Sequence, residues 1–179
     1  MTIQLDFSTL NIQDALDMAV LVEKEAEERY LLFADLLGQR YPGDAANFFT
    51  MMARNEQRHG IEIAERRHLL FGDIPSRITK NMIENDIEAP EKEKAIRYMS
   101  PRHALEVSME SEIKAYAFYD RILQVIQDDS VRELIKGLRD EEAGHQVLLN
   151  EMRAKYRETL EPDFDPEIDE LTFHRIRES

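Results

Sequence analysis

The chain has 179 residues and a formal net charge of -14, room for one domain with a sizeable core. It holds only six glycines and six prolines among abundant Leu, Met, Ala, Glu and Arg, a balance that favours an all-α fold over a turn-rich β architecture. With no cysteine, disulfides, thiolate zinc sites and cysteine nucleophiles are excluded and any metal must use Glu, Asp or His; with no block of Lys or Arg, nucleic acid is not an expected partner.

Residues 1–10 show neither a basic start nor an apolar run, and no later stretch reaches membrane-spanning length, so no membrane partner and a cytoplasmic location are expected. The first helix is predicted over about 11–40, ended by the Tyr41-Pro42-Gly43 breaker. The second starts at the N-cap Asp44 and ends at Phe71-Gly72. Residues 73–99 are polar, contain Pro75 and Pro90, and are long enough to cross the length of a helix bundle. A third helix follows the N-cap Ser100 with Pro101 at its first position and ends near Gln127; the fourth begins after Asp128-Asp129-Ser130 and runs to about Thr159. A four-helix bundle over 1–160 results, two hairpins joined by one crossover. The segment 161–179, with Pro162 and Pro166 before Ile168, Leu171, Phe173 and Ile176, suits a short docking helix or a frayed tail.

The two hairpins repeat one another. Glu23-x-x-Ala26-x-x-x-Tyr30 recurs 89 residues later as Glu112-x-x-Ala115-x-x-x-Tyr119, and Glu56-x-x-His59 recurs 86 residues later as Glu142-x-x-His145. A two-fold-related pair of hairpins is the expected architecture.

Each repeated residue falls inside an apolar stripe, where an unpaired charge is costly. The first two stripes are Leu16, Ala19, Glu23, Ala26, Tyr30, Phe33, Leu37 and Ala45, Phe49, Met52, Glu56, His59, Ile63, Leu70. The second hairpin gives Leu105, Ser108, Glu112, Ala115, Tyr119, Ile122, Ile126 and Val131, Ile135, Leu138, Glu142, His145, Leu149, Met152, Tyr156. In Glu-x-x-His the two side chains leave one face about 60° apart and can meet one metal. Spacing alone is weak evidence in a chain with 37 acidic residues. Glu65-x-x-His68 has the same spacing but lies nine residues, about 180° of helix, beyond the first pair, and is expected to face solvent.

Four carboxylates converging in one apolar core without Lys or Arg on the stripes repel one another unless protons or metals neutralise them. Two divalent ions balance them, with His59 and His145 as neutral donors. The bland alternative, solvated glutamates and core histidines bonded to them, accounts for any one of the six residues but poorly for all. Oxygen and nitrogen donors without sulfur suit iron, with manganese and zinc also accommodated. Tyr30 and Tyr119, two turns after a ligand glutamate, are candidates for hydrogen bonding to the site or for simple core packing. Gly60 and Gly144, beside the histidines, are expected to make room near the site or to allow close helix packing.

This duplicated Glu and Glu-x-x-His set resembles that of the rubrerythrin branch of the ferritin-like superfamily, over about residues 11–158. The resemblance implies two iron ions held by Glu23, Glu56, His59, Glu112, Glu142 and His145, no haem, Tyr30 and Tyr119 beyond the ligands, reduction of hydrogen peroxide or dioxygen, and a homodimer. Full-length rubrerythrins append a rubredoxin domain with four cysteines, so here an external electron donor is implied. They also carry a glutamate three residues after the third ligand, where this chain has Ala115. The chain resembles bacterioferritins too, which implies iron sequestration, but Gln57 stands where their haem-ligating Met follows the second-helix Glu. A resemblance to di-iron hydroxylases acting on quinones lacks their apolar membrane-binding surface.

Overall fold

The computed structural model describes residues 5–39, 43–95 and 99–155. Four helices dominate: α1 (Ile12–Leu37), α2 (Ala45–Phe71), α3 (Pro101–Leu123) and α4 (Asp129–Lys155). Single 3-10 turns lie at Phe7–Thr9, Lys80–Met82 and Lys92–Lys94, and among the described residues there is no strand. α1 packs most extensively on α2, and α3 on α4, giving the two expected hairpins.

The helix starts are set by local chemistry. At α1 the Asn11 side chain accepts from the Asp14 amide and the Asp14 carboxylate accepts from the Asn11 amide, a reciprocal cap. Asp44 and Ser100 cap α2 and α3 in the same sense, the latter followed by Pro101. Asp128 accepts from the amides of Ser130 and Val131 at the head of α4.

Three expectations need correction. α3 stops at Leu123 rather than near Gln127, because the Arg132 guanidinium takes the carbonyls of Leu123 and Ile126 and holds the chain in turns. Leu70 is 56% exposed and does not belong to the α2 stripe. From Ile63 the inward face continues at four-residue spacing through Arg67, bonded to Asp17 at 2.8 Å, and Phe71. The polar crossover is not merely a spacer: Ile78, Ile87, Glu88 and Ala89 are all buried. The predicted end of the fourth helix, Tyr156 and the segment 161–179 lie outside the described residues.

The core is split. One apolar cluster holds the first half of α1 (through Val22), Ile78 and Ile87, α3 from Ala115 onward, and α4 through Leu138. The other holds α1 from Ala26, α2 through Ala53, α3 from Ala104 to Val107, and Leu149 of α4. Between them, Glu23, Glu56, Glu112 and Glu142 lie at one level along the bundle, each at most 2% exposed. Two hydrophobic ends thus support the bundle and leave its waist polar.

Candidate metal centre

All six sequence-predicted ligands meet at this waist. Glu23, Glu56 and His59 present donor atoms within 4.8 Å of one another, and a second group consists of Glu112, Glu142, His145 and Glu88. His59 Nδ1 lies 4.0 Å from Glu23 Oε2 and 3.8 Å from Glu56 Oε2. His145 Nδ1 lies 3.1 Å from Glu112 Oε2 and 3.5 Å from Glu142 Oε2. The two imidazoles are parallel with centroids 4.9 Å apart, so the groups are immediate neighbours. Glu65 and His68 are exposed on the far side of α2, as helical phase predicts.

Glu88, the residue sequence reasoning missed, comes from the crossover and is only 1% exposed. Its surroundings hold it firmly. Arg29 donates to the Asp86 carboxylate at 2.6 Å and to the Pro90 carbonyl at 2.5 Å, while Lys114 Nζ donates to the carbonyls of Asp86 and Ala89 at 2.9 and 3.0 Å. Asp86 itself adopts a left-handed conformation, φ 57°, which Asp tolerates better than most residues. The available signal was Ile87-Glu88-Ala89-Pro90, a compact stretch with two apolar residues and a proline in an otherwise charged crossover.

The electrostatics of the waist are dominated by buried carboxylates. At least one oxygen on each of Glu23, Glu56, Glu88, Glu112 and Glu142 is buried without a hydrogen-bond partner, and on Glu56 and Glu88 both are. Among the described residues no Lys or Arg forms an ion pair with these five. Burial and the neighbouring carboxylates push Glu23 and Glu88 well above the usual carboxylate range, and Glu142 also rises, mainly through burial. Burial, with Glu112 nearby, raises Glu56 to about 7. Burial alone would lower His145, but its bonds to Glu112 and Glu142 outweigh that and push it to about 11; His59 is lowered by burial and by the charge of His145. Buried orphan oxygens beside inward-facing imidazole nitrogens are the donor set of a cation site, and metals of the iron and manganese type match it.

Tyr30 and Tyr119 are fully buried, with hydroxyls that make no hydrogen bond. Each is raised by burial and then by facing carboxylates, Glu112 and Glu56 for Tyr30, Glu88 and Glu23 for Tyr119. Each therefore senses a glutamate of the opposite hairpin, Glu112 for Tyr30 and Glu23 for Tyr119, together with Glu56 of its own hairpin or Glu88 of the crossover. The glycines divide: a Cβ on Gly60 would sit 3.4 Å from Glu23 Cβ, whereas one on Gly144 meets nothing within 4 Å, so only Gly60 is a close-packing position. A cleft of about 700 Å³ reaches His59 from outside, walled by Ile12, Glu62, Ile63, Glu133 and Glu141 among others.

The fold is a ferritin-like helical bundle, and its waist holds two carboxylate–histidine groups that could bind metal. Residues 14–175 match the rubrerythrin family, and the chain belongs to that family of di-iron proteins. Among solved structures it is similar to an uncharacterized conserved protein from Magnetospirillum magnetotacticum MS-1, with 29% identity and a TM-score of 0.63 over 87% of this chain and 100% of that one. It also shares its fold with a hypothetical protein from Pyrococcus furiosus, at 18% identity and TM-score 0.50 over 84% of this chain and 94% of that one. No curated protein is significantly similar to the chain. Among the described residues no helix is long and apolar enough to cross a membrane.

Proposed function

We propose that the chain is a non-haem di-iron oxidoreductase that reduces hydrogen peroxide, or dioxygen, with electrons from a separate donor. The observation that supports it is the pair of adjacent Glu-Glu-His groups whose buried oxygens lack partners. Glu23, Glu56 and His59 would hold one ion, and Glu112, Glu142 and His145 the other. Iron, when bound, supplies the redox chemistry that amino-acid side chains lack.

The protein residues do the rest. Apolar clusters above and below the waist shield it along the bundle axis, and the cleft beside His59 is wide enough to admit a small oxidant. Reducing peroxide to two waters consumes two electrons and two protons. The electrons come from the donor, and Glu141 in the cleft wall, its carboxyl raised by burial, is the group suited to pass on the protons. Tyr30 Oη and Tyr119 Oη carry hydroxyl hydrogens into a waist otherwise crowded with acceptors, positioned to donate to glutamates that become fully ionised when metal binds.

Anaerobic titration is expected to load two Fe(II) per chain, and peroxide is then expected to generate ferric near-ultraviolet absorption faster than dioxygen does. A chain purified and titrated without binding metal would overturn the reading. Solution mass is expected at a homodimer in the cytoplasmic form; a large hollow assembly that accumulates iron far beyond two per chain would favour sequestration instead.

A further inference from the structure

We propose that Glu88 is a seventh metal ligand, delivered by the crossover to the position framed by Glu112, Glu142 and His145, so that the two metal positions are unequal. The inference rests on the di-metal reading above and extends it to a residue outside the duplicated motifs. Three observations converge. Glu88 offers an oxygen within 4.8 Å of the donor atoms of Glu112, Glu142 and His145. It is 1% exposed with both carboxylate oxygens unpartnered. Lastly, the backbone on both sides of it is fixed by buried Arg29 and by Lys114, through Asp86, Ala89 and Pro90.

The clamp matters as much as the proximity. A carboxylate buried by accident would be expected to relax outward along a flexible connector, because an uncompensated buried charge costs several kcal/mol. Here two cations grip the peptide groups around Glu88 and leave the carboxylate itself alone. Arg29 and Lys114 lie on α1 and α3, the helices that carry Glu23 and Glu112. The same elements that set the helix-borne ligands therefore aim the loop-borne one.

Charge gives the chemical consequence. Four glutamates match two divalent ions, whereas five carry -5, midway between +4 for two divalent and +6 for two trivalent ions. Glu88 therefore favours the oxidised pair more than four glutamates alone would, and adds a fourth donor to the position framed by Glu112, Glu142 and His145.

Cobalt(II), added to metal-free protein and followed by equilibrium dialysis and visible absorption, tests this without turnover. The wild-type chain is expected to bind two Co(II). In Glu88→Gln one is retained at wild-type affinity and the other weakens about tenfold or more, the least expected for losing a direct ligand when supporting residues alone cost 10–100-fold. Metal-free Glu88→Gln is expected to melt at or above the wild-type temperature, since a neutral amide replaces a buried carboxylate, yet to gain less from added Co(II). Glu84→Gln, on the same crossover but exposed and paired with Arg121, is expected to match wild type. Two unchanged Co(II) sites in Glu88→Gln, or equal weakening in Glu84→Gln, would refute the assignment while leaving the di-metal reading intact. Failure of the wild-type chain to bind two ions would instead remove that reading itself.

Discussion

The two hairpins present the same motif to the waist but do not present it equally. On one side His59 stands 3.8 and 4.0 Å from its glutamates and borders an open cleft. On the other, His145 closes to 3.1 and 3.5 Å, and a carboxylate from outside the hairpin joins the group. A duplicated sequence guarantees equivalent helices; it cannot duplicate a connector that occurs once. The extra carboxylate enters through the crossover, while the cleft and the unequal histidine distances arise within the helices themselves.

The strongest way to break this comparison is to delete a ligand from each side. Glu56→Ala leaves Glu23 and His59 alone on their side, and anaerobic Fe(II) titration is expected to fall to about one ion per chain. Glu142→Ala leaves Glu88, Glu112 and His145, and the same titration is expected to retain a weakened second ion. Glu65→Ala and His68→Ala, exposed on the far face of α2, are expected to bind two ions normally, and an effect equal to that of His59→Ala would refute the phase argument.

The crowding shared by both sides is testable through pH. In the metal-free protein Glu56 sits at about 7, Glu23, Glu88 and Glu142 lie above their usual range, and His145 rises to about 11. A folded pKa above the unfolded one gives stability that is complete below the unfolded value and lost as pH rises through the folded value. Lowered His59 acts oppositely, but only as pH falls below about 6.5. Between pH 6.5 and 8.5 the metal-free melting temperature is thus expected to drop, by on the order of 5 °C. Metal-loaded protein is expected to show the opposite slope, because ligands must deprotonate to bind. A flat metal-free profile in calorimetry would contradict the crowding.

The smallest effects separate the glycines. Gly144→Ala, with open space around the new Cβ, is expected to stabilise the protein by up to about 1 kcal/mol in urea unfolding. Gly60→Ala is expected to gain less, since its Cβ comes into close contact with Glu23 Cβ at 3.4 Å. Equal gains would mean that α1 and α2 are not tightly registered at the waist.

Most of this was legible because it is periodic. Glu23, Glu56, Glu112 and Glu142 lie in stripes whose phase fixes their depth, and repetition separated His59 and His145 from His68 without any structure. Caps such as Asp44 and Ser100 likewise located the helix starts from residue type alone. What stayed hidden lacked a period. Glu88 lies in non-helical chain, buried through the tertiary grip of Arg29 and Lys114, residues 59 and 26 positions away. Leu70 failed for the related reason that the inward face turns by about 40° at each four-residue step from Ile63 to Arg67 to Phe71, away from the seven-residue heptad position that Leu70 occupies. The end of α3 depended on Arg132, a residue of the next helix.

The grip on residues 86–90 also bears on how the gene can change. Length variation is better tolerated just after α2 at Asp73, before the chain is tied to α1 and α2 through Ile74, Pro75 and Arg77. One residue inserted between Asp86 and Pro90 would swing Glu88 off its aim while leaving every helix intact. Nor could the centre be completed by combining two copies of a hairpin, or by a two-fold dimer of half-length chains with direct connections. The repeated motifs carry the six predicted donors, and Glu88, the proposed seventh, sits on a strap of fixed register between the halves.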